Sequence, residues 1–350
     1  MTVTLAIQDV AFGGKGIGRH EGKVVFVPFT LKGEVVEVEI IADKKSFSEG
    51  RVVRVREASP HRVKAPCPYF GNCGGCAYQH ADYTLQLEMK WKQVEQAIRR
   101  IGKLDVDVDA VIPSPLPFGY RNRITVHRQN NVTGFVSTDR RSIVDIGRCL
   151  LASDAVNAQL EELRLRRGKE GHFTLREQHG ERTFRQTNDS VAEILAQAVG
   201  EALPLEGPLL VDAYCGSGFF LKRWRDRFDQ LIGIEWSRHA VDSARKESAP
   251  HENYQLGDVA LHLGDALRDA PNGTVLILDP PKEGIETGVV RAIVNHPPAQ
   301  ICYVSCEPST LARDLARLAG EFDVRRITPF DMFPQTAEIE TLAVLTKKGV

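Results

Sequence analysis

The chain has 350 residues, enough for two or three domains with a sizeable hydrophobic core. Its content of 42% hydrophobic and 26% charged residues excludes an intrinsically disordered protein. The formal net charge of −1 conceals an asymmetry: residues 1–150 hold 22 Lys/Arg against 16 Asp/Glu, whereas residues 151–350 hold 23 against 30. We expect the basic part and the acidic part to bind different partners.

No apolar run reaches the roughly 18 residues that span a bilayer, and the start MTVTLAIQDV lacks the basic segment of a secretion signal. We therefore expect a cytoplasmic protein that binds no membrane, and no feature indicates an obligate protein partner. Seven cysteines, three of them within ten positions, do not resemble a disulfide framework. In a reducing compartment such a cluster indicates a metal site or catalysis.

Residues 1–59 are predicted to form a small OB-like β-barrel. The runs at 24–29, 34–41 and 51–57 are strand-like, and glycine-rich turns separate short strands. The run GGKGIG lacks the strand–loop–helix frame of a phosphate-binding loop, so its glycines are assigned to turns. Six basic residues are candidates for following an RNA backbone: Lys15, Arg19, Lys44, Lys45, Arg51 and Arg54.

Residues 60–180 are predicted to form a central domain. Its cysteines Cys67, Cys73 and Cys76 lie in CPYFGNCGGC, and Cys149 is the best remaining candidate for a fourth ligand. Three close cysteines and one distant one fit a [4Fe–4S] cluster better than a structural zinc, which stays the alternative.

An amphipathic helix is predicted over 83–101 of this domain. In YRNRITVHR (120–128), read as a strand, Arg121, Arg123 and His127 share one face, a basic stripe suited to RNA.

Residues 181–350 alternate between short apolar strands and helices, which predicts a parallel sheet covered on both faces. The expected strands are 209–214, 231–235, 275–279 and 302–306, with helices at 238–249 and 309–320. Ligands of such sheets bind at the carboxyl ends of the strands.

The segment VDAYCGSGFFL (211–221) is a strand followed by a glycine turn and a helix, and the next strand ends in Glu235, a candidate acceptor for a ribose diol. The loop has fewer glycines than a dinucleotide site, which favours S-adenosylmethionine over NAD. Asp258 is a candidate for the adenine amino group, with Asp265 as a rival.

The segment LDPPKEG (278–284) places Asp279 and two prolines at a strand end, a pattern that indicates methyl transfer. In SCEPSTLARDL (305–315), Cys306 precedes a helix whose dipole would favour the thiolate, with Ser309 or Thr310 as caps. A thiolate that adds to carbon 6 of a pyrimidine activates carbon 5, and a base must then remove the carbon-5 proton. Glu340 is the candidate base, and Glu338 is a competitor.

Taken together, the chain resembles the RNA uracil-5 methyltransferases, in the branch with a TRAM domain and an iron–sulfur cluster. The resemblance rests on GGKGIGRHEGKVVFVPF, CPYFGNCGGCAYQHADYTLQLEMK, GYRNRI and FRQTN (184–188). It implies an α/β fold: a Rossmann-like methyltransferase domain at 181–350, preceded by a TRAM barrel at 1–59 and a cluster-binding central domain at 60–180. It also implies that Cys306 is the nucleophile and Glu340 the base. The residues that line the cofactor and uracil site would be Gln186, Tyr214, Phe219, Glu235, Asp258 and Asp279.

The family resemblance predicts methylation of uridine at carbon 5 in structured RNA, with 23S rRNA favoured and tRNA as the alternative. A non-catalytic RNA-binding protein is the alternative of another class. Two departures concern the predicted site: DPPK and SCEP stand where the family usually has DPPR and SCNP, so that Glu307 puts an acid beside the nucleophile. Two more are Glu338 in place of a histidine and KESAPHEN in place of N-A-x-x-N.

Overall fold

The computed structural model describes residues 1–166, 168–177 and 186–349. The predicted boundary between residues 180 and 181 lies outside these ranges. Within the described chain there are two compact units: the first contains residues 1–93, 114–178 and 333–338, and the second contains 94–113, 179–332 and 339–350. None of the helices in the described ranges is long and apolar enough to cross a membrane.

The first unit begins with six strands: β1 (Thr2–Ala6), β2 (Asp9–Val10), β3 (Lys15–His20), β4 (Lys23–Pro28), β5 (Val35–Asp43) and β6 (Phe47–Glu57). They form one sheet in the order β1-β5-β6-β4-β3-β2. Alternate side chains face one side and form an apolar core that includes Val25, Val27, Val36 and Val38. This is the small all-β domain expected from the runs of β-branched residues.

The rest of the first unit is built around a second sheet. Helix α1 (Tyr83–Arg100) begins in this unit, and strands β7 (Arg123–Gln129), β8 (Val132–Val136) and β9 (Ile143–Asp145) follow. Helix α2 (Asp154–Leu165) precedes β10 (Gly171–Arg176), which returns to pair with β7, so the sheet order is β10-β7-β8-β9. One face of the sheet is covered by an apolar cluster that includes Ile124, Val126 and Leu160.

The second unit contains a seven-stranded sheet in the order β13-β12-β11-β14-β15-β17-β16. All neighbours from β13 to β15 are parallel, whereas β17 runs antiparallel to both β15 and β16. Its elements are α3 (Asp189–Ala202), β11 (Gly207–Ala213), α4 (Phe219–Trp224), β12 (Phe228–Glu235), α5 (Arg238–Lys246), β13 (Glu252–Leu256), α6 (Val259–Arg268), β14 (Val275–Leu278), α7 (Thr287–Asn295), β15 (Gln300–Ser305), α8 (Pro308–Leu318), β16 (Phe322–Phe330) and β17 (Glu340–Lys347). The expected Rossmann-like α/β fold is confirmed.

Candidate functional site

The carboxyl ends of three parallel strands lie side by side at one edge of the seven-stranded sheet. Ala213 of β11 is level with Ile234 of β12 on one side and with Leu278 of β14 on the other. The next residues along these strands are Tyr214, Glu235 and Asp279, which therefore lie at the same edge. The strand order reverses between β11 and β14, which is where ligands of open α/β sheets bind.

The loop after β11 turns sharply around Glu235. Tyr214, Gly216 and Gly218 all adopt positive φ angles, of 71°, 55° and 85°. The buried Glu235 carboxylate accepts hydrogen bonds from the Gly216 amide (3.0 Å) and the Ser237 amide (2.8 Å). A carboxylate has about four acceptor positions, so Glu235 retains capacity for a ribose diol.

The other predicted cofactor residues lie on the elements that follow these strands. Asp258 caps the N-terminus of α6 by accepting a hydrogen bond from the Ala260 amide (2.7 Å), and it follows β13 by two residues. Its rival Asp265 is exposed on α6 and paired with Arg268 at 2.7 Å. Phe219 is the first residue of α4.

Gln186 is half-buried and precedes α3 by three residues. The first two residues of the FRQTN string, at 184 and 185, lie outside the described residues.

Asp212 is a site residue to which the sequence assigned no role. It lies one residue before the end of β11, is 1% exposed, and neither of its carboxylate oxygens has a hydrogen-bond partner. Burial and the charges of Asp279 and Glu235 raise its pKa well above the usual value. An unpartnered buried acceptor beside the glycine loop fits a ligand that carries a hydrogen-bond donor. The signal in the sequence was an acid inside an otherwise apolar strand.

Cys306 and Glu340 are neighbours at the point where β15 ends and β17 begins. Ser305 lies opposite Thr341 in this antiparallel pair, so continuing the register by one residue places Cys306 opposite Glu340. Directly opposite residues have Cβ atoms about 4.5–5.5 Å apart. Glu340 is buried, Cys306 is half-buried, and β17 begins at Glu340 itself, two residues after Glu338.

Influences other than the helix dipole determine the ionisation of Cys306. Burial and the charge of Glu340 raise the pKa of Cys306 to about 12, although Lys282 opposes this shift. The predicted caps also differ, because the N-cap position of α8 is Glu307 and has no side-chain capping bond. Ser309 instead donates to the Glu307 carboxylate (2.6 Å), and Thr310 donates to the Lys282 carbonyl (3.0 Å).

A buried carboxylate on α8 holds the DPPKEG segment in place. Asp314 accepts hydrogen bonds from the Ile285 amide and the Tyr303 hydroxyl, both at 2.9 Å, and it is paired with Arg313 and Arg317. Arg317 also donates to the Ile285 carbonyl (3.0 Å). An acid on the apolar face of the predicted helix was the available signal for this role, which the sequence analysis missed.

The four predicted metal-ligand cysteines belong to the first unit and are held by backbone hydrogen bonds. Gln79 accepts from the Cys67 amide (3.2 Å) and donates to the Cys76 sulfur (3.1 Å), which links two of them. The Cys73 amide donates to the Tyr69 carbonyl (2.8 Å). Asn157 brackets Cys149, accepting from its amide (2.9 Å) and donating to its carbonyl (3.0 Å).

The cysteines are near enough to one another to interact electrostatically. Burial and the charge of Cys149 raise the pKa of Cys73 and raise the pKa of Cys76 to about 12, and burial likewise raises that of Cys149. The Arg121 guanidinium favours the thiolates of Cys76 and Cys149. In the described ranges, no group of three or more His, Cys, Asp or Glu side chains converges on a single metal ion.

Arg121 is not part of the basic stripe expected from the sequence. It lies two residues before β7 and forms a bridge with Ala152, so it is outside the strand to which the sequence assigned it. Arg123 and His127 do lie on β7, with the side-chain alternation that was expected.

Two known protein families match this chain, one near its N-terminus and one near its C-terminus. Residues 1–53 match the family described as "TRAM domain", and residues 261–348 match "tRNA (Uracil-5-)-methyltransferase". The second match contains Asp279, Cys306 and Glu340.

Similar proteins extend these matches over the whole chain. An uncharacterized RNA methyltransferase of Bdellovibrio bacteriovorus is 31% identical over 98% of this chain and 94% of its own length. One from Protochlamydia amoebophila is 29% identical over 97% of this chain and 96% of its own. One solved structure with the same fold is that of the Pyrococcus abyssi tRNA (uracil-54, C5)-methyltransferase in complex with S-adenosyl-L-homocysteine. The TM-score is 0.74 and the sequence identity 24%, and the match covers 98% of this chain and 100% of that one. The chain belongs to the RNA uracil-5 methyltransferase family and carries a TRAM domain at its N-terminus.

Proposed function

We propose that this enzyme transfers the methyl group of S-adenosylmethionine to carbon 5 of a uridine in structured RNA through a covalent adduct with Cys306. The observation that carries the mechanism is a thiol next to a buried carboxylate: Cys306 follows β15, and Glu340 begins β17. Strand β15 pairs with β14, the strand that Asp279 follows. A non-catalytic RNA-binding protein would need neither group.

The bonds formed and broken balance as follows. The Cys306 thiol loses its proton to solvent base, and the thiolate adds to carbon 6 of a uracil that has been flipped out of its stack. The resulting enolate attacks the methyl carbon through carbon 5, and the methyl–sulfur bond of the donor breaks. Glu340 removes the proton from carbon 5, the carbon 6–sulfur bond breaks, and the thiolate regains its proton.

Asp279 and Gln186 are proposed to hold the polar edge of the uracil. Burial raises the pKa of Asp279 above its usual value, which favours the protonated form of this carboxyl. A protonated Asp279 can donate a hydrogen bond to uracil O4, where the enolate charge develops. Stabilising this charge lowers the barrier to thiolate addition.

The residues at the sheet edge fit S-adenosylmethionine. Glu235 offers acceptors for the ribose diol, and Asp258 offers one for the adenine amino group. Tyr214 and Phe219 provide aromatic surface on either side of the glycine loop. The unpartnered carboxyl group of Asp212 is suited to a hydrogen bond with the ligand's amino-acid end.

We also propose that Cys67, Cys73, Cys76 and Cys149 bind a [4Fe–4S] cluster, with zinc as the alternative. The support is that the ionisation of Cys73, Cys76 and Cys149 is influenced by neighbouring cysteines of this set, with Arg121 to offset the negative charge at Cys76 and Cys149. A four-iron cluster separates its sulfur ligands more widely than a single ion does, so it does not need the convergent set that a zinc ion requires. Methyl transfer needs no electron, which gives the cluster a structural role.

Large-subunit ribosomal RNA is the proposed substrate, because the TRAM domain and the cysteine segment resemble the enzymes that act on 23S rRNA. Transfer RNA is the second candidate, because the Pyrococcus abyssi enzyme of the same fold acts on tRNA. Both substrates would place the enzyme in the cytoplasm.

Two experiments test this proposal. Nucleoside mass spectrometry of rRNA and tRNA from a deletion strain should show one or more 5-methyluridines missing from rRNA. Loss only from tRNA would move the assignment to the second candidate, and unchanged 5-methyluridine in both would contradict it. The Glu340→Gln enzyme should form a protein–RNA adduct that survives denaturation, whereas Cys306→Ala should form none. Absence of an adduct in Glu340→Gln with an RNA that the wild type methylates would reject Glu340 as the base.

A further inference from the structure

Strands β7 and β10 carry three cross-strand pairs of identical residues. In their antiparallel register Arg123 lies opposite Arg176, Thr125 opposite Thr174, and His127 opposite His172. The intervening residues Ile124, Val126 and Leu175 are buried in the core of the first unit. The three pairs therefore share the other face of the sheet, and we refer to them as the β7–β10 ladder.

The rungs of this ladder are in contact. The hydroxyls of Thr125 and Thr174 are 3.2 Å apart, and the rings of His127 and His172 have centroids 4.3 Å apart. Burial and the neighbouring guanidinium of Arg176 lower the pKa of Arg123. The register places two guanidinium groups directly opposite one another, and a phosphate between them could accept hydrogen bonds from both.

The chemistry of the ladder fits phosphate. Arginine, threonine and histidine side chains all offer hydrogen-bond donors, and neither RITVHRQ (123–129) nor GHFTLR (171–176) contains an acid. Successive rungs are two residues apart, or about 7 Å along the strands, a repeat that suits consecutive phosphates of an extended RNA strand.

The positive excess of the first 150 residues lies mostly outside the barrel. Residues 1–59 contain nine Lys/Arg and eight Asp/Glu, whereas residues 60–150 contain 13 and eight. In the barrel, Lys15 and Lys44 are paired with Glu49, and Arg51 is paired with Glu39. Three of the six basic residues assigned to RNA binding from the sequence are thus partly neutralised, and most of the positive excess lies beyond the barrel.

We propose that the β7–β10 ladder binds the phosphate backbone of the RNA substrate, with Arg123 and Arg176 sharing one phosphate and the threonine and histidine rungs donating to those that follow. This inference rests on the proposed function only in taking RNA as the substrate. It adds a binding surface to which β10 contributes half of the side chains.

The test measures binding of a fluorescein-labelled RNA hairpin with a uridine-rich loop, by anisotropy over a series of salt concentrations. The double variant Arg123→Gln/Arg176→Gln should bind about tenfold more weakly at 0.15 M salt, and its slope of log affinity against log salt should be less steep by about 0.7–0.9, the value for one lost phosphate contact. The Arg123→Lys/Arg176→Lys variant keeps both charges and should recover most of the affinity. Arg291→Gln, which removes an exposed charge on α7, is the matched control and should bind as the wild type does.

S-adenosylmethionine binding should be the same in all variants and no thermal midpoint should fall, because the ladder is on the surface of the first unit. The inference would be overturned if the Arg123→Gln/Arg176→Gln variant bound RNA with wild-type affinity, or if Arg291→Gln lost as much RNA affinity as that double variant. Failure of the proposed function is distinguishable: RNA would then bind through the ladder, but the bound RNA would gain no 5-methyluridine.

Discussion

Cys306 should react unusually slowly with iodoacetamide in the free enzyme. Its pKa of about 12 is three units above the value of 9.0 for an unperturbed thiol, so its ionised fraction at pH 8 is lower by about a thousandfold. Since only the thiolate is alkylated, the rate should be lower by a similar factor and should rise about tenfold per pH unit from pH 7 to 10. Peptide mass spectrometry can follow Cys306, with the urea-unfolded protein as the reference.

The same experiment in Glu340→Gln tests the cause of the shift. Burial is the largest contribution, and the Glu340 carboxylate is the next. Removing this charge should lower the pKa and accelerate alkylation, about tenfold for each unit by which the pKa falls. Glu321→Gln removes an exposed acid from the same unit and should change nothing. A plateau of the wild-type rate near pH 8, or no acceleration in Glu340→Gln, would refute this reasoning.

Three further predictions concern the surroundings of the site. Asp314→Ala removes the acceptor of two buried donors, the Ile285 amide and the Tyr303 hydroxyl, so the free energy of unfolding measured in urea should fall by about 2–5 kcal/mol; a loss below 1 kcal/mol would contradict the role given to it. Gly218→Ala places a Cβ 2.5 Å from the Tyr254 hydroxyl in a residue with a positive φ, and it should weaken S-adenosylhomocysteine binding measured by calorimetry. In the control Gly264→Ala, the new Cβ has no neighbouring atom nearer than 3.9 Å, so this variant should stabilise α6 by up to about 1 kcal/mol. Asp212→Asn should raise the thermal midpoint of the ligand-free protein at pH 8 and leave it nearly unchanged at pH 4. The reason is that an acid whose pKa is raised in the folded state costs stability only once the pH exceeds its pKa in the unfolded state. Equal midpoints of variant and wild type at pH 8 would contradict this prediction.

Most of the catalytic fold could be predicted from short-range patterns. Tyr214, Glu235 and Asp279 lie at or just after the ends of buried strands. Their common position was predictable because parallel strands bring their carboxyl ends to one edge of the sheet. The position of Glu340 at the start of the last strand was also predictable, because the apolar run that follows it marks that strand.

What the sequence did not reveal depends on long-range pairing. Strand β10 lies more than 40 residues after β7, and no local pattern shows that Arg176 returns to lie opposite Arg123. The raised pKa of Cys306 likewise comes from burial and from Glu340, which lies 34 residues further along the chain. The helix dipole, which the local sequence does show, is one influence among several, and burial beside another acid is the larger one.

The position of the transferred methyl group tests the central claim most directly. RNA transcribed with uridine tritiated at carbon 5 would be incubated with the enzyme and S-adenosylmethionine carrying a ¹⁴C methyl group. Methylation at carbon 5 replaces the proton there, so we predict one tritium released to water for each ¹⁴C methyl incorporated, with neither in Cys306→Ala. Incorporation of ¹⁴C methyl with retention of tritium would show methylation at nitrogen or oxygen and would contradict the account.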